Sequence, residues 1–343
     1  MVKSLVRPNV LKLKAYSSAR DEFSGEAEIF LDANENPYNN GMNRYPDPLA
    51  RDIKKILSAQ KNIPAEQIFI GSGSDEVIDV VTRVFCEPRI DNILILPPTY
   101  GMYEVSANIH DVGIKQVPLT PDFQPKVKEI LDTADAHTKI LYLCHPNNPT
   151  GNLFASASIL TLIRNFKGIV VVDEAYIDFA ETSSCIELLK DAPNLIVMQT
   201  LSKAWGLAGI RLGMAYASAE IIALMNKVKP PYNVNILTQN TALKALKHPA
   251  PKDKKVQEIL KERSKLATQL EKSPAVIKIY PTDTNFILAE CREAEKLYNY
   301  LLSQGIVVRN RSSHPLTKNC LRFTVGTPKE NKKLMQSIIS IDS

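Results

Sequence analysis

Cysteine is scarce in this chain, long apolar runs are missing, and no block of like charge occurs in its 343 residues. The five cysteines (Cys86, Cys144, Cys185, Cys291, Cys320) are odd in number, scattered, and free of Cys-x-x-Cys spacing. That excludes a disulfide framework and points to a reducing compartment, read here as the cytoplasm. No stretch approaches the roughly 20 apolar residues of a membrane span, and the first 14 residues hold no signal-peptide core. The net charge of +5 is spread along the chain, so phosphorylated small molecules suit it better than nucleic acid. The five histidines (His110, His137, His145, His248, His314) show no ligand spacing, and no metal is expected. Internal repeats and low-complexity tracts are also missing.

What is present is ordinary globular material, 44% hydrophobic and 23% charged, long enough for one large and one smaller domain. Short apolar runs at 67–70, 92–96, 139–144, 168–172 and 195–199 read as buried strands. Helix-period segments at 77–85, 159–166 and 186–189 alternate with them, which predicts an α/β fold on a parallel sheet covered on both faces. A helical pattern over 255–272 leads out of this region, and an amphipathic helix over 293–303 with flanking strands predicts a small α+β domain. Ligands of such sheets collect beyond the strand ends, where nearly every polar motif of this chain lies.

One such motif follows the run 195–199: Thr200-Leu201-Ser202-Lys203, with Arg211 eight residues beyond the lysine. An amine can condense with an aldehyde while Thr200, Ser202 and Arg211 hold a phosphate on the same molecule. Pyridoxal 5'-phosphate (PLP) needs both. Gly71-Ser72-Gly73-Ser74-Asp75-Glu76 opens a helix, where free amides favour a phosphate, Ser74 can cap, and Asp75 suits the positive end. The same loop reads equally as a plain strand-to-helix turn. As a dinucleotide fingerprint it is incomplete, because Glu76 replaces the third glycine.

The remaining motifs supply partners for a pyridine ring. Pro146-Asn147-Asn148-Pro149-Thr150-Gly151 is a rigid turn that can aim Asn148 at the phenolic oxygen; Asn147 reads as a surface turn residue. Asp173 ends a buried strand and needs a cation, which a pyridinium nitrogen provides. Tyr176 joins Asn148, while Glu174 is left to a structural hydrogen bond or solvent. Tyr100, in a proline-led turn, is assigned to the ring face, and Tyr103 is left open. The basic run 251–255 is read as the solvated start of a helix.

Together, Ser202-Lys203-Ala204-Trp205-Gly206 with Arg211, Pro146–Gly151 and Asp173-Glu174-Ala175-Tyr176 resemble the fold-type-I PLP aminotransferases, the histidinol-phosphate aminotransferase family in particular. Further matches are Leu31–Pro37, Asn43–Pro48 and Leu321–Thr327. The resemblance implies a large domain (41–250) with a mostly parallel seven-stranded sheet, a small α+β domain (251–343), and an N-terminal segment (1–40) associating with the small domain and the active site. It makes Lys203 both cofactor anchor and general acid/base, which requires a depressed amine pKa. It implies substrate contacts from Arg322, which grips phosphate or carboxylate, and from Arg309, Tyr16 and Asn34. Without that context a strand-face arginine reads first as half of a structural ion pair, and Arg311 has no assigned place. The family's counterpart of Tyr45 reaches the partner's cofactor phosphate in a homodimer; the plainer alternative is an aromatic anchor. The implied reaction exchanges an amino group between L-histidinol phosphate and 2-oxoglutarate.

An aromatic amino-acid aminotransferase or a threonine-phosphate decarboxylase of the same fold are the alternatives. A transcription regulator with such a domain would need a helix-turn-helix ahead of it, for which the first 14 residues leave no room. A dehydrogenase fits neither the glycine loop nor the Ser202-Lys203 pair.

Overall fold

The computed structural model describes residues 2–15 and 28–341. Seven strands form the larger sheet: β1 (Ile68–Gly71), β2 (Asn92–Ile95), β3 (Gly113–Gln116), β4 (Thr138–Cys144), β5 (Ile169–Asp173), β6 (Leu195–Thr200) and β7 (Gly213–Ala217). Their spatial order is β1-β7-β6-β5-β4-β2-β3. Strands β3, β2, β4, β5 and β6 run parallel, whereas β7 is antiparallel to both β6 and β1. The sheet is thus mostly parallel, as the resemblance implies, with β7 as the reversed strand. The chain returns from β6 through a short loop without a crossover helix, and such a return pairs antiparallel.

Alternation along the central strands explains the two covered faces. Val170, Val172, Leu195 and Val197 enter one core cluster, while Ile169, Val171, Ile196 and Met198 enter the other. All eight are fully buried, and each Leu or Ile among them is worth about 2–5 kcal/mol against truncation to Ala. Helices supply the covering layers: α1 (Pro8–Lys12), α2 (Arg51–Lys61), α3 (Ser74–Phe85), α4 (Met102–Ile109), α5 (Val127–Thr133), α6 (Ser156–Asn165), α7 (Ala219–Val228) and α8 (Ile236–Leu246). In α3 the apolar stripe Val77, Ile78, Val81, Val84 and Phe85 faces the sheet, with Asp75 and Glu76 in the first turn and Arg83 in the last. The segment 186–189, expected as helix, is instead part of a 3₁₀ turn, Cys185–Leu188, too short to complete an α-helix.

Beyond these, α9 (Ala250–Glu271) leads to a four-stranded antiparallel sheet of β8 (Val276–Ile279), β9 (Phe286–Cys291), β10 (Arg309–Asn310) and β11 (Cys320–Thr324), ordered β10-β11-β9-β8. Helices α10 (Ala294–Ser303) and α11 (Pro328–Ile341) complete it. Ile287, Ala289, Leu321 and Phe323 pack on one face with Leu266, Leu297 and Ile338. Leu288 and Cys320, on the other face, join the large sheet's core. That second face carries Arg322, opposite Leu288 on one side and Arg309 on the other. The small sheet thus turns its arginines toward the strand ends of the large one.

The basic run 251–255 starts α9 and is exposed, as read, except at Lys252. Lys252 donates to Asp178 at 3.0 Å and lies 5.4 Å from the centre of the Trp205 ring. It braces the loop that carries Lys203.

Candidate active site

One end of the cleft is built on β1, α3 and the β6–β7 loop. Gly73 has φ +80°, and a Cβ there would lie 2.6 Å from Arg211 Nη2. At Gly213 a Cβ would lie 2.3 Å from the backbone nitrogen of Ser74. Both positions require glycine, so that the start of α3 and the arginine can close on each other. Ser74 proves to be the first helical residue; Gly73 holds the cap position and no side chain caps it. The serine hydroxyl is therefore not engaged in capping, in contrast to the sequence expectation. Glu76 accepts from the Ser72 amide and from Asn233 Nδ2, which braces the turn. Thr200 and Ser202 join through their hydroxyls at 2.9 Å. Asp75 accepts from Arg211 Nη2 at 3.2 Å and from the Tyr100 hydroxyl at 3.1 Å, so it orients two other groups.

The other end lies at the tips of β4 and β5. Asp173, 3% exposed, accepts from the Tyr103 hydroxyl at 2.7 Å and from the Ala175 amide at 3.0 Å. Burial raises its pKa from the ordinary 3.8 to about 6, against the lowering effect of Tyr103. No cation pairs with it among the described residues. Tyr103 is fully buried, stacked on Tyr142 at 4.4 Å and edge-on to Tyr100 at 5.6 Å. Sequence reasoning left Tyr103 open, since nothing local to 99–103 reveals a partner 70 residues away.

Asn147, read from sequence as a surface residue, is fully buried. Its amide donates to the Pro98 carbonyl at 2.9 Å and to Thr150 Oγ1 at 2.7 Å, tying the two proline turns together. A polar side chain can be buried here because its donors are met. Asn148 accepts from Arg322 Nη1. Glu174 is buried and accepts from Ser184, the Cys185 amide and Gln199, which settles its choice in favour of structure.

Lys203 projects into the cleft between these ends, still open to water, with Nζ 5.7 Å from the centre of the Tyr176 ring. Its pKa is lowered by the surrounding protein mass and then by the positive charge of Arg322. Tyr176 meets Phe286 edge-on at 5.2 Å, and the Arg322 guanidinium lies 5.0 Å over the other aromatic contact of that pair, the Phe286 ring. Arg309 pairs in register with Arg322 across β10 and β11. Strand β10 consists of only Arg309 and Asn310. Arg311 continues the pairing, its amide donating to the Cys320 carbonyl at 2.9 Å, so alternation puts it on the face of Arg309. Burial, Arg322 and Arg309 push its pKa down to about 10. None of the three guanidiniums has a carboxylate partner among the described residues, and the Nε atoms of Arg311 and Arg322 are buried without a hydrogen bond. The ion-pair reading of Arg322 is thereby excluded, and Arg311 acquires a neighbourhood.

Ser74, Asp75, Tyr100, Asn148, Asp173, Tyr176, Thr200, Ser202, Lys203 and Arg211 line one cleft. Asn34 and Tyr45 are exposed and do not line it; Tyr45 stacks on Tyr232 at 4.4 Å. Tyr16 falls outside the described residues.

The residues present fit PLP. Asp173 is a buried carboxylate that lacks a cation, Lys203 is an amine shifted toward its neutral form, and hydroxyls, a helix start and Arg211 gather at the far end. The fold and this cleft define a PLP-dependent transferase of fold type I. The model of the family "Aminotransferase class I and II" matches residues 27–338, and the chain belongs to that family.

Within it, the chain is similar to the histidinol-phosphate aminotransferase of Cytophaga hutchinsonii, 53% identical over 336 residues and 97% of each chain. The enzyme of the same name from Flavobacterium johnsoniae is 53% identical over 340 residues, 98% of this chain and 97% of that one. Among solved structures, the histidinol-phosphate aminotransferase of Clostridium acetobutylicum superposes with a TM-score of 0.81 at 25% identity, covering 88% of this chain and 91% of that one. That of Sinorhizobium meliloti in complex with pyridoxal-5'-phosphate gives a TM-score of 0.80 at 22% identity, over 87% and 83% respectively, and shares the fold.

Proposed function

We infer that this chain catalyses the PLP-dependent transfer of an amino group between L-histidinol phosphate and 2-oxoglutarate, giving imidazole acetol phosphate and L-glutamate, in L-histidine biosynthesis. The observation that carries the reading is the 53% identity to histidinol-phosphate aminotransferases over nearly the whole chain. The cleft supports it: Lys203 feels the positive charge of Arg322, and Arg309 and Arg311 lie on the same strand face as that arginine. When bound, PLP supplies an aldehyde carbon and an electron-withdrawing pyridinium ring.

The protein groups then divide the work. Lys203 anchors the aldehyde and, once released, carries a proton between the substrate α-carbon and the cofactor at its Nζ. Its lowered pKa raises the fraction of neutral base near pH 7. Asp173 holds the ring nitrogen protonated, Asn148 and Tyr176 hold the phenolic oxygen, and Tyr100 covers the ring face. Ser74, Thr200, Ser202 and Arg211 bind the phosphate, with Asp75 holding Arg211 and Tyr100 in place. Arg322 and Arg309 bind the substrate's phosphate in one half-reaction and the dicarboxylate in the other; Tyr16 and Asn34 complete that pocket. Arg311 adds a third cation suited to a dianion. Residues 41–250 form the cofactor-binding domain, 251–343 the small one, and 1–40 a segment at the active site, although its start (Val2, Val6, Val10) packs into the large domain's core and not against the small domain.

Two chains form a homodimer in which Tyr45 reaches the partner's cofactor phosphate. Support comes from the exposed apolar residues Leu31, Tyr38, Met42 and Tyr45 in one segment. Five free cysteines suit a cytoplasmic enzyme, and no helix of the described residues is long and apolar enough to cross a membrane.

The test is one assay series with PLP and 2-oxoglutarate, offering histidinol phosphate, histidine, phenylalanine and threonine phosphate. Glutamate should form fastest from histidinol phosphate, and Lys203→Arg should abolish it together with the bound cofactor's visible absorbance. Preference for phenylalanine, or carbon dioxide release from threonine phosphate, overturns the substrate assignment. Unchanged turnover in Lys203→Arg overturns the role of the lysine.

A further inference from the structure

Tyr103 touches two of the residues assigned to the cofactor ring yet has no assignment of its own. Its hydroxyl donates to Asp173 Oδ2 at 2.7 Å, while the other carboxylate oxygen accepts from the Ala175 amide. Its ring lies edge-on to Tyr100 at 86° and is backed by Tyr142, stacked at 8°. Tyr103 stands on the first turn of α4, so the helix, the end of β4 and the end of β5 converge on one side chain. A buried aspartate with a free torsion can point either oxygen away from a ligand. The two donors remove that freedom, since rotation would break both bonds of a carboxylate that is only 3% exposed.

We propose that Tyr103 is a positioning residue for the cofactor ring: its hydroxyl locks the Asp173 carboxylate toward the ring nitrogen, and its ring, wedged between Tyr142 and Tyr100, sets the angle of the ring-face tyrosine. The proposal rests on the PLP assignment of the preceding section. It assigns Tyr103 no contact with substrate and no proton transfer. Because the Asp173 carboxylate keeps an acceptor for the ring nitrogen only when held, loss of the hydroxyl acts through that one atom of the cofactor. Phenylalanine at 103 keeps both ring contacts and the packing, so it isolates the hydroxyl.

The experiment titrates apoprotein, wild type and Tyr103→Phe, with PLP and separately with 1-deaza-PLP, whose ring has carbon in place of the nitrogen. Cofactor binding is followed by quenching of tryptophan fluorescence and by absorbance of the bound cofactor. Loss of one charge-assisted hydrogen bond predicts a PLP dissociation constant about tenfold or more above wild type. The dissociation constant for 1-deaza-PLP should be the same in both proteins, and the absorbance maximum of bound PLP should move only in the variant. Equal weakening toward both cofactors would mean general loss of structure and overturns the proposal, as does unaltered PLP binding. Should Tyr103→Phe fail to fold, fluorotyrosine at 103, a more acidic donor of nearly the same shape, must move the absorbance of bound PLP; an unmoved spectrum overturns the proposal. Failure of the wild type to bind PLP at all instead rejects the functional reading beneath it.

Discussion

Asp173→Asn should make the cofactor-free protein more stable at pH 7 while making it a poorer binder of PLP. The folded carboxyl is held at about 6 against an ordinary 3.8, at a site 3% exposed. At 1.36 kcal/mol for each pH unit between those values, keeping it ionised in the fold costs about 3 kcal/mol. The sign follows from proton uptake. Between pH 3.8 and 6 the folded state binds more protons than the unfolded state, so stability falls as pH rises through that window. The cost is nil below the unfolded value and complete above the folded one. An asparagine removes the charge but mismatches one of the two donors, Tyr103 or Ala175, a loss of about 1 kcal/mol. The variant should therefore be about 1 kcal/mol less stable than wild type near pH 4 and about 2 kcal/mol more stable at pH 7. Urea unfolding of the apoproteins, followed by the fluorescence of Trp205, measures both differences. Saturating PLP should then reverse the order at pH 7, because at a hundredfold its dissociation constant a ligand adds about 2.7 kcal/mol. A stability difference that does not change between pH 4 and pH 7 refutes the account of Asp173 as an uncompensated buried charge.

Two further outcomes test other parts of the cleft. Arg311→Gln removes one of three guanidiniums without a carboxylate partner among the described residues, and a lost contact to a phosphate is worth about 1.5–3 kcal/mol, so KM for histidinol phosphate should rise about tenfold with a smaller rise for glutamate. Steady-state kinetics on both substrates checks this, and an equal effect on both removes Arg311 from phosphate selection. Tyr45→Phe keeps the stack on Tyr232, so a weaker grip on PLP, measured by equilibrium dialysis of the dimer, supports the reach across the interface, whereas unchanged retention leaves Tyr45 as an anchor of its own chain.

The sequence by itself determined the alternation of buried strands and helices, because runs such as 169–172 and 195–198 are apolar at every position and can only be strands covered on both faces. It also determined the gathering of Ser74, Asp173 and Lys203, since each follows a strand of one sheet and strand ends share an edge. It did not disclose β3, an edge strand of mixed polarity, or β7, a small-residue strand whose antiparallel direction depends on the loop before it. Nor did it disclose Asn147, Tyr103, Lys252 or Arg311. Asn147 and Tyr103 have polar side chains whose burial is tolerable only because a partner far along the chain meets them. Lys252 found its carboxylate on the loop after β5 and its aromatic ring on the loop after β6, both far back along the chain. Arg311 was decided by register, for the pairing of β10 with β11 puts it beside Arg322 on the face turned to the cleft. Local patterning fixes which face of an element is apolar; which polar groups meet across elements is a property of the assembled chain, because hydrogen bonds and charges act over a few ångströms and sequence distance says nothing about them.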